Sequence, residues 1–143
     1  MSSSWVLVIT VLIAAFGVAY VIGRLITLRA GLLKASEEAA QLSPEVTSEL
    51  GLSSAGPTIL HFSAPWCGPC AAVRQVVDRV CAELPRVSHV EIDMDANPDA
   101  ARRLSVLSLP TTIIFDASGR PRYRTHGVPN AADLRSALEP LLA

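Results

Sequence analysis

Hydrophobic and polar positions divide the chain into stretches of different period. Residues 5–22 form an apolar run in which Thr10 is the only polar aliphatic side chain. At 1.5 Å per residue such a helix is roughly 27 Å long, close to the ~30 Å hydrocarbon core of a bilayer. Leu25, Ile26 and Leu28 can extend the run if Arg24 snorkels to the headgroups. Trp5 and Tyr20 stand near its ends, where amphipathic rings favour the membrane–water boundary. A cleaved signal peptide would need a basic start, a shorter apolar stretch and an A-x-A-like site. Residues 1–4 carry no side-chain charge, and the best small-x-small pair is Gly17-x-Ala19. The expectation is an uncleaved transmembrane anchor over residues 1–28.

Residues 29–56 read as a juxtamembrane connector. A helix is expected over 34–42, with Lys34 and Glu38 four apart. Ser43-Pro44-Glu45 then has the cap, first-position proline and acidic first turn of a second helix, with Gly51 a plausible stop. From residue 57 the pattern alternates. Residues 58–63 make a short apolar strand, and 67–84 show helical spacing through Val73, Val76, Val77, Val80 and Leu84. Residues 87–94 read as a second strand, and Asn97-Pro98-Asp99 as the cap of a short helix to about Leu104. Residues 111–115 form a β-branched strand, and Asp116-Ala117-Ser118-Gly119 turns the chain into 120–126. A last helix starts near Asn130, with Pro140 expected to make its final turn irregular. The order βαβα followed by ββα implies an α/β domain over 57–143, a central mixed sheet flanked by helices.

Charge sharpens this division. The 143 residues hold 12 Lys/Arg and 13 Asp/Glu, and none of them precedes Arg24. About a fifth of the remainder is charged, as in ordinary soluble domains. A net charge of −1 excludes an electrostatic case for nucleic acid as partner. Arg24, Arg29 and Lys34 follow the apolar run, so the positive-inside rule expects the domain on the cytoplasmic side of the cell membrane. The alternative is that these cations bind headgroups on whichever side they emerge. Three cysteines are too few for a disulfide-stapled scaffold.

Two of those cysteines carry chemistry. Trp66-Cys67-Gly68-Pro69-Cys70 lies between a strand and a helix. A thiol at a helix N-terminus faces unsatisfied N–H groups and the positive end of the macrodipole, which favour thiolate. Gly68 permits close approach, and Pro69 starts the helix and restrains the dithiol. Cys67 is then the exposed attacking nucleophile, and Cys70, one turn inside, the resolving thiol. A zinc ribbon would need a second ligand pair and a c-type haem a His at position 71, which is Ala. No metal or bound cofactor is expected.

The stretch from Thr58 onward resembles the thioredoxin family. The WCGPC pentapeptide is joined by Phe62-Ser63-Ala64-Pro65, by Ile92-Asp93-Met94-Asp95-Ala96-Asn97-Pro98, by Leu109-Pro110-Thr111 and by Gly127. The resemblance implies a thioredoxin-like fold and a cis Pro110, with Leu109 pairing its backbone to an extended substrate. Pro65 and Trp66 would frame one side of the docking surface and Leu109, Pro110 and Thr111 the other. It further implies protein disulfides as substrates and a separate reductase as electron donor.

Three positions depart from the family pattern. His61 stands where the family commonly buries an aspartate that serves the resolving cysteine. It shares a strand face with Ile59 and Ser63, so it is either a proton acceptor for Cys70 or a core histidine bonded to a carbonyl. Gln75 replaces a helix-kinking proline, and Glu91 a companion lysine. Outside the motif, Cys81 reads as a core thiol and His89 and His126 as surface or structural. Arg120, Arg122 and Arg124 alternate, as if guarding an exposed sheet edge or meeting anionic lipid.

The function expected is a membrane-anchored thiol–disulfide oxidoreductase, touching lipid through residues 5–28. The alternatives are an outward-facing reductase serving envelope disulfides or cytochrome c maturation, and a non-catalytic binding module of the same fold.

Overall fold

A computed structural model describes residues 2–29, 34–35 and 41–143. The chain forms two compact units, residues 1–30 and 31–143. The first is one helix, α1 (Ser2–Arg29). Over Trp5–Leu25 its mean hydropathy is 2.6 and none of the stretch is buried, so it is long and apolar enough to cross a membrane. A signal sequence shares those properties. The hydroxyl of Thr10 donates to the carbonyl of Val6 at 2.8 Å, so the one polar aliphatic side chain in the run is satisfied within the helix.

The second unit is a mixed sheet with helices on both faces. In chain order it holds β1 (Lys34–Ala35), α2 (Pro44–Glu49), β2 (Thr58–Ser63), α3 (Cys70–Glu83), β3 (Ser88–Asp93), α4 (Pro98–Arg103), β4 (Thr111–Phe115), β5 (Pro121–His126) and α5 (Ala131–Leu142). Spatial order is β1-β5-β4-β2-β3. Among the described strands only β2 and β3 run parallel, as a helical crossover through α3 requires. β2–β4, β4–β5 and β1–β5 are antiparallel. Alternation along β2 divides the core. Ile59 packs with Val73, Val77 and Val80 of α3 and with Leu134 and Leu138 of α5. Leu60 and Phe62 face the other way, onto Leu50, Ala101, Leu104 and Val106.

Several local expectations are met. Ser43 and Asn130 cap α2 and α5 through their side-chain oxygens. Asp116 closes the β4–β5 turn, its Oδ1 accepting from the backbone N–H of Ser118 and Arg120 at 3.0 Å each. Gly119 sits there at φ 78°, and a Cβ at this position would run into Thr47 of α2.

Others are corrected. The helix expected over 34–42 is a strand at Lys34–Ala35, where pairing with Tyr123 and Arg124 satisfies the backbone; the Lys34–Glu38 pair lies outside the described residues. β5 is therefore not a free edge guarded by arginines. Arg124 instead donates to the carbonyls of Leu104 and Ser105 at the end of α4, and Arg122 lies 3.6 Å from Asp116. Asn97 makes no side-chain cap, its amide bonding back to Asp93. α5 runs through Pro140 to Leu142, because loss of one N–H donor in a last turn leaves the packing of Leu134 and Leu138 intact.

Candidate active site

β2 ends at Ser63 and the chain turns through Ala64–Gly68 into α3. Backbone bonds hold this turn: the N–H of Cys67 donates to Ala64, and that of Cys70 to Cys67. Cys67 and Cys70 are joined in a disulfide, with Cα atoms 5.5 Å apart. Their environments differ. Cys67 is half-buried, whereas Cys70 is 2% exposed and its Sγ lies 3.9 Å from the carbonyl of Phe62. Pro65, Trp66, Gly68 and Pro69 are all exposed. The indole of Trp66 is tethered, donating to Asp95 at 2.9 Å. α3 begins at Cys70 with no side-chain cap, so the positive end of its dipole lies at the dithiol.

The second wall of the site comes from β4. The Leu109–Pro110 peptide is cis, and Thr111 is the register partner of Phe62, which sets this turn at the same end of the sheet as the cysteines. Leu109 is half-buried; Pro110 and Thr111 are buried. Thr111 donates to Ser108 and contacts His126 Nδ1 at 3.0 Å. Gly127 bonds through its N–H to the Pro110 carbonyl. Apart from α1, the exposed large hydrophobic side chains among the described residues are Trp66, Leu107 and Val128. All three sit in or next to these loops.

Beneath α3 lies a group of charged and ring side chains. His61 is fully buried, on the same face as Ile59 and Ser63 as alternation requires. Its partner is another imidazole and not a carbonyl: Nδ1 lies 2.8 Å from Nε2 of His89. His61 Nε2 has no hydrogen bond, and Glu91 Oε1 stands 3.5 Å away. Arg74 grips Glu91 with two N–H groups at 2.8 and 2.6 Å. Burial drives the pKa of His61 down to about 4, against an opposing pull from Glu91. The Arg74 guanidinium holds Glu91 down at about 2. Cys81 is half-buried further along α3, its thiol pKa raised by desolvation. Sequence reasoning left His89 as surface or structural, quoted Asp95 only within a motif, and gave no role to Asp78, Leu107 or Val128. The one available signal was the alternation of His89 and Glu91 on β3, which puts both on the face of His61. Among the described residues, no group of three or more His, Cys, Asp or Glu side chains could hold a metal ion.

A disulfide between one half-buried and one buried cysteine, at a strand–helix junction and at the same end of the sheet as a cis-proline turn, defines a dithiol–disulfide exchange site. The thioredoxin family model matches residues 40–140, and the chain belongs to that family. It is a thiol–disulfide oxidoreductase. The thioredoxin of Mycolicibacterium smegmatis is 38% identical over 94 residues, 64% of this chain and 83% of that protein. That of Chlamydia trachomatis is 40% identical over 81 residues, 57% and 78% respectively. Among solved structures, chloroplastic thioredoxin z superposes with a TM-score of 0.59 at 32% identity, covering 76% of this chain and 97% of that one. A mutant thioredoxin from Halobacterium salinarum gives 0.59 at 27% identity, covering 73% and 88%.

Proposed function

We propose that this protein is a membrane-anchored reductase of protein disulfides, working through Cys67 and Cys70. The observation that carries the reading is the unequal burial of the two cysteines, which gives one access to substrate and withholds the other. Cys67 thiolate attacks a substrate disulfide and forms a mixed disulfide. Cys70 then attacks Cys67; the Cys67–Cys70 bond forms and the substrate leaves as thiolate. His61 accepts the Cys70 proton. The substrate lies against Trp66 and Pro65 on one side and Leu109, Pro110 and Thr111 on the other, with Gly68 and Pro69 leaving its approach open. Leu107 and Val128 widen the apolar surface it meets. A separate reductase recharges the disulfide.

Residues 5–28 anchor the chain, and the domain faces the cytoplasm. Support comes from the length and apolarity of α1 and from Arg24, Arg29 and Lys34 after it. Disulfide reduction by the full chain in detergent tests the chemistry. Cys67→Ser should abolish it and Cys70→Ser should trap the mixed disulfide. Activity surviving in Cys67→Ser would end the reading, and a full chain with no reductase activity would favour a binding module. Paired reporters fused after the domain test the topology, and an external signal would make envelope disulfides the substrates.

A further inference from the structure

The buried histidine is the inner end of a chain that reaches water. His61 Nδ1 meets His89 Nε2 at 2.8 Å, and His89 Nδ1 meets Asp78 Oδ1 at 2.9 Å. The two rings lie nearly parallel with centroids 5.0 Å apart. Side-chain exposure rises along the chain from 0% at His61 to 17% at His89 and 60% at Asp78. A sealed base is thus linked to solvent by two short contacts.

The outer end sets the direction of the hydrogen bonds. As a carboxylate Asp78 only accepts, so His89 carries its hydrogen on Nδ1. With both rings neutral, His89 Nε2 is then bare, and His61 must carry its hydrogen on Nδ1. This leaves a lone pair on the buried His61 Nε2, the atom without a hydrogen bond. Every charge acting on His61 comes from α3 and β3: Glu91, His89, Arg74 and Asp78. Glu91 is already gripped by Arg74. The nearby neutral groups are Ser63 on its own strand and Thr112, its register partner on β4, whose buried hydroxyl also lacks a partner.

We propose that His89 and Asp78 are positioning residues that keep His61 Nε2 free to accept a proton and relay that proton to solvent. The inference rests on the reading of His61 as the Cys70 proton acceptor. In the resolving step the Cys70 Sγ proton passes to His61 Nε2. The Nδ1 proton of His61 moves to His89 Nε2, and the Nδ1 proton of His89 moves to Asp78 and water. The Cys70 thiolate attacks the Cys67 sulfur; the Cys67–substrate bond breaks, and its electron pair leaves on the substrate sulfur. Recharging of the disulfide by the reductase runs the chain inward and restores a proton to Cys70 Sγ, His61 Nδ1 and His89 Nδ1. Burial explains why a relay is needed. Desolvation disfavours an imidazolium at His61, so a proton taken there must be handed on.

The test is the rate of mixed-disulfide resolution by the full chain in detergent, followed by stopped flow from pH 5 to 10. His89→Gln can accept a hydrogen bond from His61 but cannot pass a proton. It should slow resolution about tenfold or more near pH 7 and approach the unsubstituted rate at high pH, where Cys70 ionises without help. Asp78→Asn, on the surface, should slow it in the same pH-dependent sense but less. The His61→Gln/His89→Gln double variant should be no slower than His61→Gln, because both act on one proton. Unchanged pH profiles for His89→Gln and Asp78→Asn, with His61→Gln slow, would overturn the relay and leave His61 as the acceptor. An unchanged profile for His61→Gln would overturn both. Nitrogen-15 NMR supplies an independent readout: reduced protein should show His61 protonated on Nδ1, and His89→Gln should lose the coupling between the rings.

Discussion

A histidine sealed under a helix binds a proton less readily than the same residue in an unfolded chain, and that difference is a stability term. The pKa of His61 falls from 6.5 to about 4. Above pH 6.5 neither state is protonated at His61, and the term is silent. Between 6.5 and 4 the unfolded chain takes up a proton that the folded one refuses. Stability therefore drops as pH falls through this window, by at most roughly 3 kcal/mol. His61→Leu keeps an apolar shape in the same place and removes the proton. Urea unfolding at pH 7, 5.5 and 4.5 should show a flatter pH dependence in the variant, and parallel curves would refute the assignment. Asp95→Ala is a second residue-scale case. Release of the Trp66 indole should raise KM for a protein substrate a few-fold with kcat little changed, since Asp95 bonds Trp66 of the proposed docking surface.

Elements succeed or fail here by how their ends are satisfied. α4 is a six-residue helix, too short to persist without tertiary support. Its C-terminal region is held by Arg124, which reaches across from β5 to the carbonyls of Leu104 and Ser105 at 2.6 and 3.3 Å. A charged donor on helix carbonyls complements both the orphan acceptors and the dipole. Arg124→Ala should cost about 1–2 kcal/mol in chemical unfolding, whereas Arg122→Ala, with only the 3.6 Å contact to Asp116, should stay within about 0.5 kcal/mol. Equal losses would show that alternation along β5, and not the contact to α4, sets the worth of these arginines.

For the second unit as a whole, stability should be graded across the sheet. β2 and β4 are buried at every position, while β3 is only half-buried and β1 has two residues. Amide hydrogens of β2 and β4 should exchange only through global unfolding, and those of β3 and β1 through smaller openings. Mass spectrometry of exchange resolved to peptides checks this ordering. Equal protection of β1 and β2 would contradict it. The same gradient places the cysteines well, because their loop leaves the most protected strand and enters a helix packed on it.

The sequence by itself determined the dithiol and all the elements but β1. Strand alternation, helix spacing, the Asp116–Gly119 turn and the Ser43 and Asn130 caps are short-range rules, read within a few neighbouring residues. Trp66-Cys67-Gly68-Pro69-Cys70 is contiguous, and the unequal burial of its cysteines follows from one turn of helix. The tertiary structure alone decided what surrounds His61. Its partners His89 and Asp78 are fixed by the register of β2 on β3 and by the seat of α3 above both, contacts spanning 28 and 11 residues of chain. The same holds for Arg124 under α4 and for β1 on β5. Hydrogen bonds of buried polar groups are settled by whichever neighbour packing brings within 3 Å, and no local pattern carries that information.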